Sequence, residues 1–192
     1  NLLGTKIDNV RLTKASTDTI PFADETFDFV MSVGVLHHIP DTQKAMNDCV
    51  KKLKTGGYFY CYLYYNLDSR GPLFKALFSI SNIVRKFVST LPTGLKKFVA
   101  DILAILIYMP LVLLVRVLRA LGFKKFAQYI PLSAYYNKSF FVIRNDSLDR
   151  FGTRLEHRFS KNEVIEMMTK SGLSDIVISP NSPFYHAVGR KK

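Results

Sequence analysis

Apolar residues recur along this chain in short β-type runs at both ends and in long helical rhythms in the middle. Val10 to Ala15, VRLTKA, alternates apolar and polar and predicts a short strand. Ser16 to Glu25 is polar, and Pro21 breaks any regular element there. Phe27 to Val35, FDFVMSVGV, is a compact apolar run of β-formers, which suits a strand buried on both faces of a parallel sheet. Asp41 is placed to cap a helix that continues through Ala45, Met46, Cys49, Val50 and Leu53 at helical spacing. Gly56 and Gly57 are expected to close it and open a strand over Tyr58 to Tyr64. Strand, helix and strand with short links make a βαβ unit, hence an open α/β sheet with a right-handed crossover.

The far end returns to this alternation. Ser160 and Glu163 have capping-box spacing, and the helix they start is expected to turn Val164, Ile165, Met167 and Met168 inward before ending at Gly172. Leu173 to Ser179 and Phe184 to Arg190 then read as strands joined across PNSP in an antiparallel hairpin.

Between these parts the rhythm is helical and the charge is one-sided. From Gly71 to Ile130 nine Lys and Arg residues face the single acid Asp101, so +8 of the chain's net +12 lies here. No repeat or low-complexity linker is evident, and the stretch reads as an insertion. Phe98 to Val115 is interrupted only by Asp101 and Pro110, and is flanked by Lys96 and Lys97 and by Arg116 and Arg119. Its length is marginal for a membrane span, which needs roughly twenty apolar residues. Three readings stand: a helical lid over an active site, a basic apolar hairpin lying on an anionic membrane surface, and a spanning helix. Nucleic acid is disfavoured, because the positive residues alternate with long apolar runs rather than with exposed aromatics and glycines.

Composition narrows the class further. The mixture of 48% hydrophobic and 22% charged residues is that of a globular chain. Cys49 and Cys61 are too few for a disulfide framework or a zinc site, and read as small hydrophobes in a cytoplasmic protein. No secretory signal pattern opens the chain, which begins at Asn1 in mid-pattern and reads as a piece of a longer protein.

IPFADETFDFVMSVGVLHHIPD, Ile20 to Asp41, together with LKTGGYFY, Leu53 to Tyr60, closely resembles the middle of class I S-adenosylmethionine-dependent methyltransferases of the broad type 11/12-like group. Thr55 stands where that family usually has proline. The resemblance covers Val10 to about Tyr65 and Arg158 to Arg190. It implies a Rossmann-like sheet of which the first two strands are missing here, with Val10 to Ala15 as the family's third strand and the final pair at the sheet edge. The expected organisation is a partial core over 1–66, the helical insertion over 67–136, and a substrate-side segment, last helix and hairpin over 137–192.

By the same resemblance the cofactor is S-adenosylmethionine, held at the carboxyl ends of parallel strands. Ser16 and Thr17 fall where relatives contact the adenine edge, many of them with aspartate at the first position. Val33 and Gly34 end the fourth strand, where a small residue lets the backbone approach the methionyl part. His38 falls at a position that shapes the cofactor pocket. His37 is a candidate base, and adjacent histidines on an extended turn point apart, so no metal is expected. Asp149, Arg154 and His157, in a charged segment before the last helix, are candidates for the substrate side; a surface salt-bridge cluster is the other reading.

The family's glycine-rich loop and ribose-binding acid do not occur before Val10. The chain alone is therefore expected to bind the cofactor poorly, to leave the Phe27 strand as an open edge, and to aggregate. The expected activity, in the full-length parent, is methyl transfer to a small-molecule, lipid-linked or glycan-related acceptor. The alternatives are a non-catalytic Rossmann-like module that binds a membrane or partner, and another transferase on the same fold such as an aminopropyl transferase.

Overall fold

The computed structural model describes residues 9–67, 71–180 and 184–192. They form two compact units: one made by the chain up to Asn66 together with His157–Lys192, the other by Leu67–Glu156.

The first unit is α/β. Strand β1 (Phe27–Val33) leads through a 3-10 turn (Leu36–His38) into helix α1 (Thr42–Lys51) and strand β2 (Leu53–Tyr64). Asp41 caps α1 by accepting from the Lys44 amide at 2.8 Å. β1 and β2 are parallel. The C-terminal helix (Lys161–Lys170) precedes two further strands, Leu173–Ile178 and Phe184–Lys191, here β3 and β4. The sheet order is β1-β2-β4-β3, with β4 antiparallel to both its neighbours. The hairpin thus forms as expected, with its second strand inserted beside β2 and its first strand outermost. β1 is the other outer strand. The turn residues Asn181–Pro183 lie outside the described residues.

Alternation along β2 builds the core. Leu53, Phe59, Cys61 and Leu63 are buried against Met46 and Val50 of α1 and Val164 and Met168 of the C-terminal helix. Gln43 ties these helices together, donating from Nε2 to the Met167 carbonyl at 3.1 Å and to Ser171 Oγ at 3.0 Å. Ser160 and Glu163 close a reciprocal capping box at the start of the C-terminal helix.

Four expectations for this unit are corrected. Val10 to Ala15 is not a strand; Val10 and Leu12 are exposed, and among the described residues no strand lies beside them to share ladder hydrogen bonds. The β1 run is not buried on both faces: Phe29, Met31 and Val33 are exposed while Val30 packs on the core, because β1 is an outer strand with the buried cluster on one face only. Gly56 and Gly57 do not end α1, which stops at Lys51; they lie within β2, where the pairing with β1 jumps from Phe27↔Leu53 to Phe29↔Tyr58. Gly56 takes φ +82° there, and a Cβ on Gly57 would sit 2.8 Å from the Asp28 carbonyl oxygen. Ile165 points outward, leaving Val164, Met167 and Met168 as the inner stripe.

The second unit is helical: α2 (Pro72–Val88), α3 (Thr93–Leu103), a π-helical turn (Ala104–Tyr108), α4 (Met109–Ala120), α5 (Lys124–Ala127) and α6 (Phe140–Gly152); the C-terminal helix of the first unit is accordingly α7. α3, the π turn and α4 make one continuous helix, Thr93–Ala120. The wide turn lies just before Pro110, whose nitrogen has no hydrogen to donate to a regular helix ladder. Val88, Ala104, Tyr108, Val112, Ile143 and Phe151 form this unit's core. Ser147 donates to the Ala100 carbonyl at 2.7 Å, and Arg144 pairs with Asp101 at 2.5 Å. Residues 137–156, placed by sequence with the core domain, thus cluster with the helices, because α6 buries its apolar side against them.

Both cysteines are buried and free. Burial pushes the Cys61 thiol up to about 12 and raises that of Cys49. Neither should react with a thiol-specific reagent in the native protein at mildly alkaline pH, whereas both should react at once in denaturant. Fast native labelling of Cys61 would contradict the packing of β2.

Candidate functional site

The carboxyl end of β1 gathers most of the sequence candidates. The strand ends at Val33, and Gly34 follows with φ +71°, a left-handed conformation that glycine adopts without the penalty of a Cβ. Its amide donates to the Tyr62 carbonyl at 3.4 Å, so this turn is held against β2. A Cβ at Gly34 would meet only the Tyr62 ring, at 3.7 and 3.8 Å. The chain then winds into the Leu36–His38 turn, where the His38 amide donates to the Val35 carbonyl at 2.9 Å. Thr42 Oγ1 donates to the Leu36 carbonyl at 3.2 Å, which couples the turn to the start of α1.

This turn carries both adjacent histidines into an aromatic cluster. His37 is fully buried and stacks on Tyr64, with centroids 3.8 Å apart and planes at 25°. His38 is half-buried, 4.2 Å from the His37 centroid and edge-on to Tyr64. The Tyr62 ring stacks on His186 at 5.0 Å. Tyr60 Oη and His186 Nδ1 lie 2.5 Å apart. The Arg158 guanidinium stands over Tyr64 at 5.2 Å and donates to the Tyr65 carbonyl at 3.1 Å. His157 is brought to the same end of the sheet through its backbone, its amide donating to the His37 carbonyl at 2.8 Å.

The other sequence candidates are spread more widely. Ser16 precedes the 3-10 turn Thr17–Thr19 in the same α/β unit. Its hydroxyl is engaged by Asp18, a contact that holds the Asp18 carboxyl below its ordinary value. Asp149 and Arg154 belong to the helical unit. Asp149 lines an open recess there with Lys96, Lys97 and Thr93, and its carbonyl accepts from Thr153 at 2.7 Å. Arg154 Nε donates to the Ser89 carbonyl at 3.2 Å. The structure therefore brings Val33, Gly34, His37, His38 and His157 together in one unit, and places Asp149 and Arg154 in the other. Among the described residues, no three His, Cys, Asp or Glu side chains converge as metal ligands.

Sequence reasoning passed over Tyr60, Tyr62, Tyr64 and His186. The signal was present in the tyrosines at every second position of β2, which a pleated strand must place on one face. His186 could not be found that way, because its place beside Tyr62 depends on the β2–β4 register.

Part of the chain is similar in sequence to known methyltransferases. Residues 2–61 match the sequence model of the family described as methyltransferase domain. Within 53 residues, 28% of this chain, it is 34% identical to the ubiquinone/menaquinone biosynthesis C-methyltransferase UbiE of Rickettsia massiliae. Over the same length it is 32% identical to the uncharacterized methyltransferase YcgJ of Bacillus subtilis. Each match spans only 21% of the relative's own length. The structure of human N-acetylserotonin methyltransferase in complex with SAM aligns over 98% of this chain and 35% of its own, with a TM-score of 0.49 and 11% identity. Residues 2–61, under a third of the chain, are thus similar to that family's domain. The sheet itself is an open α/β sheet with an antiparallel C-terminal pair.

Proposed function

We propose that this chain is part of an S-adenosylmethionine-dependent methyltransferase acting on a small-molecule acceptor. The observation that carries the reading is a coincidence of sequence and geometry. The segment matching the methyltransferase family ends on a parallel β1–α1–β2 unit, and its β1 terminates in a left-handed glycine. The carboxyl ends of parallel strands are where this architecture binds ligands.

The residues present fit the methionyl side of the cofactor. Val33 and Gly34 offer backbone without side-chain obstruction, since a Cβ at Gly34 would occupy space bounded only by the Tyr62 ring. His38, half-buried on the following turn, borders the same place. Ser16 and Thr17 are the residues this reading assigns to the adenine edge. The bound cofactor supplies a methyl group on a sulfonium centre, and catalysis consists largely of orienting the acceptor toward it. His37, packed between Tyr64 and His38, acts in this reading by fixing the turn. His157 is the candidate for handling an acceptor proton. A lipid-linked or glycan-related acceptor is the finer reading, supported by the apolar and basic character of Leu67–Glu156, and a cytoplasmic site at a membrane surface goes with it.

The deciding experiment is calorimetric titration of S-adenosylmethionine into this chain and into the longer protein that contains it. Binding is expected in the longer protein and should be at least about tenfold weaker in this chain, which has no glycine-rich loop. A well-folded longer protein that does not bind would overturn the reading and favour a non-catalytic membrane- or partner-binding module.

A further inference from the structure

We propose that the helical unit docks on an anionic lipid surface, lying in the headgroup region with the outer faces of its helices turned toward the lipid. The first observation is how little of its most apolar helix is buried. Thr93–Ala120 buries a single stripe, Ala100, Ala104, Tyr108, Val112 and Val115, at steps of four and three residues. Only 28% of its most apolar window is buried, so it is not a core helix. Its opposite side leaves Phe98, Leu106 and Leu113 exposed, at 61%, 68% and 49%. Helix α2 repeats the arrangement, with Leu73, Ile83 and Phe87 each exposed by about 70%. Exposed apolar side chains repeated along two helices in this way mark a binding face.

The second observation is charge. The stretch that carries these helices has nine cations and one acid, and that acid, Asp101, is taken by Arg144. Lys75, Lys86, Lys97, Lys124 and Lys125 are exposed. Self-association through this face would crowd like charges together, whereas anionic headgroups neutralise them. Charge therefore favours lipid over a second copy of the chain.

The third observation separates lying on the membrane from crossing it. The uncharged run from Ile102 to Val115 is ~20 Å long at ~1.5 Å per residue, against a hydrocarbon core of ~30 Å. Its inner stripe packs on α6, which carries Arg144, Asp146, Asp149 and Arg150. Ser147 and Arg144 bind α6 to Ala100 and Asp101 directly. A spanning orientation would pull those charges into hydrocarbon; an interfacial one leaves them on the water side.

The inference stands apart from methyl transfer, because vesicle binding requires no cofactor. The test is co-sedimentation of the purified chain with vesicles of phosphatidylcholine alone and with about a third phosphatidylglycerol. The chain should pellet with the anionic vesicles, less so as salt rises, and alkaline carbonate should release it. Leu106→Glu with Leu113→Glu, at exposed positions where folding is retained by circular dichroism, should weaken binding by at least about tenfold. Lys124→Glu with Lys125→Glu should weaken it on anionic vesicles specifically. Failure to pellet with anionic vesicles at low salt would overturn the proposal, as would resistance to carbonate, which means a span. So would a wild-type dimer that Leu106→Glu converts to monomer while vesicle binding stays unchanged.

Discussion

Phe59→Ala should destabilise the α/β unit by about 3–5 kcal/mol, enough to leave much of it unfolded at room temperature. Phe59 sits in the middle of β2, fully buried, with Val30 of β1 on one side and Gly189 of β4 on the other. Its ring belongs to the cluster that joins α1 and α7 to the sheet. Removing it takes away the transfer free energy of a large side chain and leaves a cavity. The surroundings cannot close it cheaply, because Cys61 and Leu63 are held by ladder pairing on both sides. Gly189 already lies against Met168, so α7 has little room to move in. The chain has no tryptophan, so urea unfolding should be followed by circular dichroism. Ile165→Ala, on the outer side of α7, is the control and should cost under about 1 kcal/mol. Equal losses for the two variants would mean that the inner and outer faces are misassigned.

On the proposed reading of the β1 end, Gly34→Val should lower the affinity for S-adenosylmethionine by about tenfold or more, with the fold preserved. A β-branched residue at φ +71° carries a penalty of about 1–2 kcal/mol, and the turn can escape it only by rotating away from β2. That rotation would break the amide contact to the Tyr62 carbonyl and displace the turn that holds His37 and His38. The added methyl groups would also fill space that now meets only the Tyr62 ring. Gly122 separates strain from site. It has φ +89°, with nothing within 4 Å of a built Cβ, and lies in the helical unit. Gly122→Ala carries a similar backbone penalty but should leave cofactor affinity unchanged. Calorimetric titration of the three proteins checks this, and wild-type affinity in a folded Gly34→Val protein would remove Gly34 from the site.

The two predictions rest on features of different legibility. The alternation along Tyr58–Tyr64, the Asp41 cap and the Ser160–Glu163 box were readable because each is a local arrangement. A pleat sends alternate residues to opposite faces, and a capping side chain reaches amides only two or three residues away. Gly34 as the end of a strand came from the family resemblance, since the apolar run alone continues to Val35. The burial of β1 and the role of Gly56 and Gly57 were not readable. Both depend on what lies across the sheet: the jump in β1–β2 register, and a buried cluster on one face only of an outer strand.

Sequence alone determined the local elements: the βαβ rhythm, the capped helices, the C-terminal hairpin and the concentration of positive charge in the helical stretch. The tertiary structure decided that Val10 to Ala15 forms no strand, that β4 lies between β2 and β3, and that α6 joins the helical unit rather than the α/β unit. It also decided that His37 and His186 share one aromatic cluster, and that the outer side of Thr93–Ala120 stays exposed. Propensity, pattern and caps act within a few residues and are written in order along the chain. Strand pairing, register and burial are settled by partners far away in sequence, and an alternating segment without such a partner has no ladder to join.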